Sequence, residues 1–344
     1  MKAAVIHAPR DLRIEEMEVP PVGPHQVGVR IRAGGICGSD LHYYQHGGFG
    51  AVQIRQPMIL GHEIAGEVIE VGSGVASLRP GDGVAVNPSL PCDRCRFCLM
   101  GQQNHCLDMR FYGSAMRMPH VHGGFREVLV CEERQAVKLP PGMALHTAAF
   151  AEPLSVCLHA VRRAGPLLGR RVLVTGAGPI GALAMMVARQ AGAQEVVATD
   201  IVDAPLAMAR RIGADMALNT LSDMDALARF KPDKGYFDVA IEASGNARAL
   251  AGAFEVVRPG GTVVQLGIAG GEMTLPINML VAKEISLCGT FRFHEEFAWA
   301  VAFLGSGAID VAPLLTEIVP LDEAVRAFDL AGDKSRAMKV QLAL

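Results

Sequence analysis

The sequence lacks an excess of charge of either sign. Its 32 Lys and Arg residues stand against 35 Asp and Glu residues, which leaves a formal net charge of −3. Proteins that bind nucleic acid through its phosphates carry a strong basic excess, so we expect no nucleic-acid partner.

Long apolar runs are also missing. The longest charge-free stretches, such as residues 172–188, contain several glycines and fall short of the ~20 apolar residues that a membrane span needs. No basic stretch followed by an apolar run and a small-residue cleavage site opens the chain, so no signal peptide is predicted. We therefore expect a cytoplasmic protein with no membrane partner.

The chain does have length and apolar content. Half of its 344 residues are hydrophobic, which excludes a disordered chain and suits two domains of ordinary size. Residues 1–150 hold short β-like runs broken by Gly and Pro, for example 2–7 and 26–33, and predict an irregular, β-rich domain. Residues 291–344, with a helix around Trp299, are expected to return to this domain.

Residues 151–290 alternate between strand-like and helix-like patterns, which is typical of an α/β fold with a doubly wound parallel sheet. The predicted helices cover residues 179–191 and 204–212. The predicted strands cover residues 171–175, 195–199, 214–218, 237–242 and 261–267.

A glycine-rich turn follows the first of these strands. Residues 176–181 read Gly-Ala-Gly-Pro-Ile-Gly and open the predicted helix, which is the context that a dinucleotide-binding fingerprint requires. Gly176 permits the tight turn, Gly178 lets the backbone approach a pyrophosphate, and Gly181 allows close packing of helix on strand.

Asp200 ends the next predicted strand, 19 residues beyond Gly181. A carboxylate there accepts hydrogen bonds from both adenosine ribose hydroxyls and repels a 2′-phosphate, so NAD is favoured over NADP. A glycine-rich turn without a ligand is the alternative, but the strand, the helix and the acid in register argue against it.

Half of the eight cysteines are crowded into fifteen residues: Cys92, Cys95, Cys98 and Cys106. Four thiolates at this spacing satisfy a tetrahedral Zn²⁺ and leave no open position, which predicts a structural zinc site. Disulfides are disfavoured in the expected compartment. An iron–sulfur cluster stays open, because ferredoxins contain similar cysteine runs.

A looser set of metal-ligand types is formed by Cys37, His62 and Glu63. A thiolate, an imidazole and nearby carboxylates can hold a zinc ion with one position open to substrate. Spacing alone is a weak argument here, since a single Cys and a single His-Glu pair are more often structural or surface residues. Glu152, read alone, is a carboxylate at the start of a helix.

Taken in chain order, these segments resemble the zinc-containing medium-chain dehydrogenases over essentially the full length. The polyol dehydrogenases are the most similar branch, because Glu63 follows His62 and Glu152 precedes a proline. The resemblance implies a GroES-like catalytic domain, a Rossmann domain, and a homodimer or homotetramer. The matching motifs are residues 34–42, 61–63, 92–106, 151–155 and 176–181.

The resemblance also implies two zinc ions per chain, one structural and one catalytic. Cys37 and His62 would hold the catalytic zinc, with Glu63 and Glu152 as direct or exchanging ligands. Ser39 would accept a hydrogen bond from the substrate oxygen and pass its proton toward His42, although these two read alone as a turn residue and an exposed side chain. Further cofactor contacts would come from Pro179, Ile180, Gly267 and Arg292.

Segments 37–45, 108–116, 289–293 and 331–334 resemble family members that oxidise a secondary hydroxyl of a sugar acid. The carboxylate of such a substrate calls for a cation, and the planar fork of arginine suits it. The implied substrate contacts are Tyr43, Arg110 and Arg292, although Arg110 is equally well read as a surface cation.

The sequence therefore predicts one of three functions. A zinc-dependent sugar-acid dehydrogenase comes first, and a sorbitol- or xylitol-type polyol dehydrogenase second. Phe293 weakens the second, because many polyol dehydrogenases have Tyr there and its hydroxyl donor is lost. The third is a non-catalytic dinucleotide-binding protein with structural zinc only, and retention of the whole catalytic-zinc set argues against it.

Overall fold

The computed structural model describes residues 1–269 and 271–344, and within them the chain forms two compact units. The first unit comprises Met1–Glu152, His294–Asp333 and Lys339–Leu344, and the second comprises Pro153–Phe293 and Lys334–Met338. None of the helices in this described part is both long and apolar enough to cross a membrane.

Twenty strands lie in the described residues. They are β1 Lys2–Ala8, β2 Asp11–Glu16, β3 Gln26–Gly35, β4 Gly48–Phe49, β5 Val52–Gln53, β6 Met58–Ile59, β7 Glu63–Val71, β8 Gly83–Val86, β9 Ser89–Leu90, β10 Arg110–Phe111, β11 Val128–Glu132, β12 Ala136–Lys138, β13 Arg171–Thr175, β14 Glu195–Asp200, β15 Met216–Asn219, β16 Phe237–Glu242, β17 Val257–Gln265, β18 Ser286–Gly289, β19 Leu315–Pro320 and β20 Lys339–Ala343.

The same residues contain ten α-helices. They are α1 Gly38–His46, α2 Arg96–Leu99, α3 Leu145–Ala148, α4 Ala151–Ala164, α5 Pro179–Gln190, α6 Asp203–Arg211, α7 Ala247–Val256, α8 Ile277–Ala282, α9 Glu296–Gly305 and α10 Ala324–Gly332.

The first unit is built on a seven-stranded sheet of order β12-β8-β7-β3-β20-β19, with β11 also paired to β3. Strand β3 shows why it folds this way. Val27, Val29 and Ile31 are fully buried, whereas Arg30 and Arg32 between and after them are exposed. This period-two alternation is that of a strand with one face on a core. The pairing of β20 with β3 returns the end of the chain to this sheet.

The second unit contains a six-stranded parallel sheet of order β15-β14-β13-β16-β17-β18. Val172, Leu173 and Val174 of β13 are all fully buried, because helices cover both faces of a parallel sheet. The chain winds outward in one direction through β14 and β15 and in the other through β16, β17 and β18. The predicted α/β doubly wound sheet is therefore confirmed.

The switch between the two winding directions lies between β13 and β16. In open parallel sheets, ligands bind outside the carboxyl ends of the strands at such a point. The predicted strands 171–175 and 237–242 coincide with β13 and β16. The predicted strand at 261–267 begins earlier, at Val257, and ends at Gln265.

Candidate active site

Antiparallel pairing brings the first candidate ligands together. Strands β3 and β7 pair with Gly35 opposite Glu63, so the carboxyl end of β3 lies beside the amino end of β7. Cys37 follows β3 and is the N-cap of α1, while His62 immediately precedes β7. Two segments separated by more than twenty residues therefore converge because of the sheet register.

Cys37, His62 and Glu63 form a cluster that could hold a metal ion. One ligand atom from each residue can be chosen so that all three lie within 4.8 Å of one another. His62 and Glu63 are buried, and Nδ1 of His62 is buried without a hydrogen-bond partner. An unpaired buried polar atom is costly, and a metal ion would supply the missing partner.

The electrostatics of the cluster also suit a cation. Burial, followed by the charge of Glu63, raises the pKa of the Cys37 thiol to about 12. Burial likewise raises the pKa of Glu152, to about 8, with the nearby carboxylate of Glu63 adding to the shift. Both shifts reflect anionic groups crowded into a dry site, and a divalent cation would reverse their sign.

Glu152 lies in the first turn of α4, 5% exposed. It interacts electrostatically with Cys37, His62 and Glu63, but the close ligand group consists of those three residues without it. The structure thus places Glu152 beside the cluster, as an outer carboxylate.

Lys339 is a member of the site that sequence reasoning missed. Its Nζ donates to Glu63 Oε1 at 2.6 Å and to the carbonyl of Ile36 at 3.0 Å, and Lys339 is only 4% exposed. Burial by itself lowers the pKa of this amine, but Glu63 and Cys37 outweigh burial and raise it. The one available signal was a charged residue at the start of a terminal strand whose other residues are uncharged.

Asp40 is a second missed residue. Its side chain is fully buried and accepts hydrogen bonds from the backbone N–H groups of Cys37, at 3.0 Å, and Gly61, at 3.2 Å. It therefore ties together the two loops that carry Cys37 and His62. Its Oδ1 lies 3.7 Å from Nδ1 of His62, beyond hydrogen-bond length.

The four-cysteine lobe forms the second cluster of possible ligands. The sulfurs of Cys92, Cys95, Cys98 and Cys106 all lie within 4.8 Å of one another, and all eight cysteines of the chain are free thiols. Two backbone N–H groups lower the pKa of Cys95 to about 6, whereas burial raises that of Cys98 to about 12. Four thiols this close without a disulfide fit a closed tetrahedral zinc site.

The predicted fingerprint turn has the expected local geometry. Gly178 is the N-cap of α5 and Pro179 its first residue, a favoured position for proline. A Cβ on Gly181 would lie 1.8 Å from the carbonyl oxygen of Gly176, so only glycine allows this contact of helix and turn. Asp200 Oδ2 accepts the Ala177 N–H at 2.7 Å, which holds the turn against the end of β14.

The predicted proton-transfer residues both lie on α1. Ser39 is half-buried in the first turn, and His42 is exposed one turn later, with its ring 5.8 Å from that of Phe49. Tyr43 is 2% exposed, and its hydroxyl accepts the Ala115 N–H at 3.0 Å.

The two predicted substrate arginines have different surroundings. Arg110 is exposed on β10, and the next residue, Phe111, packs against the His62 ring at 5.6 Å between centroids. Arg292 has a left-handed backbone with φ 55°, and its guanidinium lies 4.9 Å from the Phe291 ring centroid. Of the other predicted cofactor residues, Ile180 lies in the first turn of α5, and Gly267 donates its N–H to the Glu242 carbonyl at 2.7 Å.

Both units match known protein families. The alcohol dehydrogenase GroES-like domain model matches residues 23–141, and the zinc-binding dehydrogenase model matches residues 179–306. The chain is 45% identical to the L-idonate 5-dehydrogenase (NAD(P)(+)) of Escherichia coli strain K12, over 91% of this chain and 90% of that protein. It is 36% identical to the sorbitol dehydrogenase of Bos taurus, over 98% and 94%.

A solved structure agrees with these relatives. The crystal structure of L-idonate 5-dehydrogenase from Escherichia coli superposes with a TM-score of 0.96 at 41% identity, and covers 100% of this chain and 98% of that one. The resemblance inferred from the motifs is thus confirmed across both units. This protein belongs to the zinc-binding dehydrogenases, as an oxidoreductase of the alcohol and polyol dehydrogenase family.

Proposed function

We propose that this enzyme is an NAD-linked L-idonate 5-dehydrogenase, which reversibly oxidises the C5 hydroxyl of L-idonate to give 5-keto-D-gluconate. The reaction moves a hydride from the carbinol carbon to the nicotinamide and releases one proton. The observation that carries the proposal is the 45% identity to the E. coli enzyme of that name, together with the buried Cys37 cluster. We also propose a cytoplasmic homodimer or homotetramer.

Each chain is proposed to hold two zinc ions. The catalytic one would be held by Cys37, His62 and Glu63, with Glu152 as an exchanging or outer carboxylate. When bound, such an ion acts as a Lewis acid that lowers the pKa of a substrate hydroxyl. The structural ion would be held by the four-cysteine lobe. Both donor sets fit zinc, because thiolate and imidazole are its preferred ligands.

The released proton needs a route to water, and two residues of α1 are proposed for it. Ser39 and His42 are three residues apart, a spacing that places side chains on the same helix face. Ser39 would accept a hydrogen bond from the substrate oxygen, and exposed His42 would deliver the proton to solvent. Histidine suits this last step because it titrates near neutral pH.

The dinucleotide is proposed to lie across the carboxyl ends of β13 and β14. The turn from Gly176 to Gly181 would bind the pyrophosphate at the start of α5, with its backbone N–H groups. Asp200 would contact the adenosine ribose and exclude a 2′-phosphate, so NAD is proposed over NADP. Pro205 stands where polyol dehydrogenases often have an arginine, which further reduces positive charge near this ribose.

A polyol dehydrogenase of the sorbitol or xylitol type is the second candidate. The 36% identity to bovine sorbitol dehydrogenase over nearly the whole chain favours it. The two candidates differ in one carboxylate of the substrate, so substrate charge separates them. Tyr43, Arg110 and Arg292 remain the proposed substrate contacts.

Steady-state kinetics with a substrate panel tests the proposal. We expect kcat/KM to be highest for L-idonate with NAD, among L-idonate, D-gluconate, sorbitol, xylitol and L-threonine, each assayed with NAD and NADP. A preference for sorbitol or xylitol would replace the first candidate by the second. No turnover of any alcohol by zinc-loaded protein would favour the non-catalytic alternative.

Replacing Arg110 by alanine tests the proposed carboxylate contact. The guanidinium of Arg110 has no ion pair within the described residues, and it lies next to the residue that packs on His62. A charged hydrogen bond is worth about 1.5–3 kcal/mol, so we expect KM for L-idonate to rise by roughly tenfold or more while KM for sorbitol stays nearly constant.

Arg117→Ala is the matched control for that variant. It removes a cation from the same segment of chain, but the Arg117 guanidinium is already paired with Asp108. We expect no change in the ratio of the two KM values. Equal effects of Arg110→Ala on both substrates would exclude Arg110 from the carboxylate site.

A further inference from the structure

A buried carboxylate lies at the carboxyl end of β16, in the second unit. Glu242 is fully buried, and no Lys, Arg or His pairs with it anywhere in residues 1–269 and 271–344. Burying a carboxylate without a cation is strongly unfavourable unless hydrogen bonds compensate. Hydrogen-bond donors must therefore surround this carboxylate.

Both oxygens of Glu242 accept hydrogen bonds from the loops at this edge of the sheet. Oε1 accepts the Ser244 N–H at 2.8 Å, the Ser244 hydroxyl, and the Thr175 hydroxyl at 3.4 Å. Oε2 accepts the Gly245 N–H at 3.0 Å and Nε2 of Gln265 at 2.6 Å. Because N–H groups only donate, both oxygens of Glu242 must act as acceptors.

These donors lie at or just after the ends of three different strands. Thr175 ends β13 and precedes the fingerprint turn, Ser244 and Gly245 follow β16, and Gln265 ends β17. One side chain thus joins the ends of three neighbouring parallel strands. This is the edge, at the switch between winding directions, where a dinucleotide binds in sheets of this class.

The loops that Glu242 joins are in backbone contact. A Cβ on Gly176 would lie 2.8 Å from the backbone nitrogen of Ser244, and one on Gly267 would lie 2.2 Å from that of Gly245. Neither position has room for a side chain. A shift of residues 243–245 would therefore move the fingerprint turn and the loop after β17 together.

The side-chain amide of Gln265 also connects Glu242 to the loop after β17. Its Nε2 donates to Glu242 and, at 2.7 Å, to the carbonyl of Gly267, which fixes the orientation of the amide. Its Oε1 is then buried without a partner. Leaving this acceptor without a partner costs free energy. The cost accompanies two hydrogen bonds that hold the loop after β17 against Glu242.

We propose that Glu242 is a positioning residue for the dinucleotide: by joining the loops after β13, β16 and β17, it sets the shape of the cofactor-binding edge and so the affinity for NAD. Glu242 is not one of the proposed zinc ligands or substrate contacts, so the proposed role is one of positioning the loops. This inference rests on the proposed NAD-linked function, since it needs a dinucleotide at this edge.

Glu242→Gln tests the proposal with a side chain of nearly the same shape. The new NH₂ group must face N–H donors, whichever oxygen it replaces, so at least one hydrogen bond of the network becomes a repulsive contact. We expect the Kd for NADH of the zinc-loaded enzyme, measured by fluorescence titration, to rise about tenfold. At saturating NAD, kcat and the KM for L-idonate should change less than threefold.

Asp238→Asn is the matched control, on the same strand. Asp238 lies at the amino end of β16 and accepts the Arg171 N–H at 2.8 Å and Nε of Arg258 at 2.8 Å. Asp238→Asn also removes a buried charge from a hydrogen-bond network, but this network lies at the amino ends of the strands rather than at their carboxyl ends. We expect a lower Tm with an unchanged Kd for NADH.

The outcomes separate this inference from the function on which it rests. Wild-type enzyme that does not bind NADH would refute the dinucleotide function itself. Wild-type binding with Glu242→Gln within twofold of it, or an equal rise of Kd in Asp238→Asn, would refute the role of Glu242 alone. Should Glu242→Gln fail to fold, Gln265→Met removes the Nε2 hydrogen bonds to Glu242 and Gly267 and leaves the other donors to Glu242 in place. A Kd for NADH that Gln265→Met leaves unchanged would then refute the role.

Discussion

Replacing Cys37 by serine is expected to lower turnover by about 1,000-fold or more, because a Lewis acid contributes several kcal/mol to the transition state and each 1.36 kcal/mol is tenfold in rate. A serine hydroxyl is a much poorer zinc ligand than a thiolate. The substitution removes one of the three close ligands that the described residues offer in this cluster. Metal analysis should show one zinc per chain in place of two.

Binding of NADH and the Tm separate loss of the metal from loss of the fold. The glycine turn belongs to the second unit and Cys37 to the first, so we expect the Kd for NADH to stay nearly constant. Cys288→Ser is a suitable control, since Cys288 is a half-buried thiol of the second unit whose sulfur lies 3.6 Å from the Arg163 carbonyl. Full turnover in Cys37→Ser would contradict the proposed catalytic zinc.

Replacing Cys98 by serine is expected to have the largest effect on stability. The lobe around residues 92–106 has little apolar core of its own: Leu99 is 75% and Met100 66% exposed. Structural zinc contributes roughly 10 kcal/mol or more to the folding of small domains that depend on it. We expect Cys98→Ser to retain one zinc per chain and to become sensitive to protease within the lobe.

The control for this lobe is Cys131→Ser. Cys131 is a buried thiol on β11, outside both ligand clusters, so the variant should keep two zinc ions and a protease-resistant lobe. An iron–sulfur cluster in the lobe would be revealed by iron in the metal analysis and a visible absorption band. Two zinc ions and normal protease resistance in Cys98→Ser would rule out the closed four-cysteine site.

Much of the candidate site could be predicted because its signals are local. The fingerprint turn, Asp200 and the four cysteines each depend on spacing within a single segment, and those segments follow hydrophobic patterns that short-range sterics impose. Glu152 and Glu63 needed the resemblance as well. As isolated carboxylates they carry no periodic or spacing signal that distinguishes a ligand from a helix-start acid.

Lys339, Asp40 and Glu242 could not be predicted in the same way. The ion pair of Lys339 with Glu63 joins residues 276 positions apart, and it exists because β20 and β7 both pair with β3. In the sequence, Glu242 is an ordinary acidic residue at the end of a predicted strand. Its hydrogen bond from Gln265, 23 residues later, is visible only in the structure. Such partnerships arise from strand order and register, which no local pattern contains.

The amino-acid order alone was therefore enough for the two-unit α/β organisation, the glycine-rich turn and the four-cysteine lobe, since each depends on contiguous residues whose backbone preferences act over a few positions. Tertiary structure decided which distant charges meet. Packing excludes water from these charged groups, which strengthens the interactions between them. The partners of a buried lysine or carboxylate therefore depend on the tertiary structure.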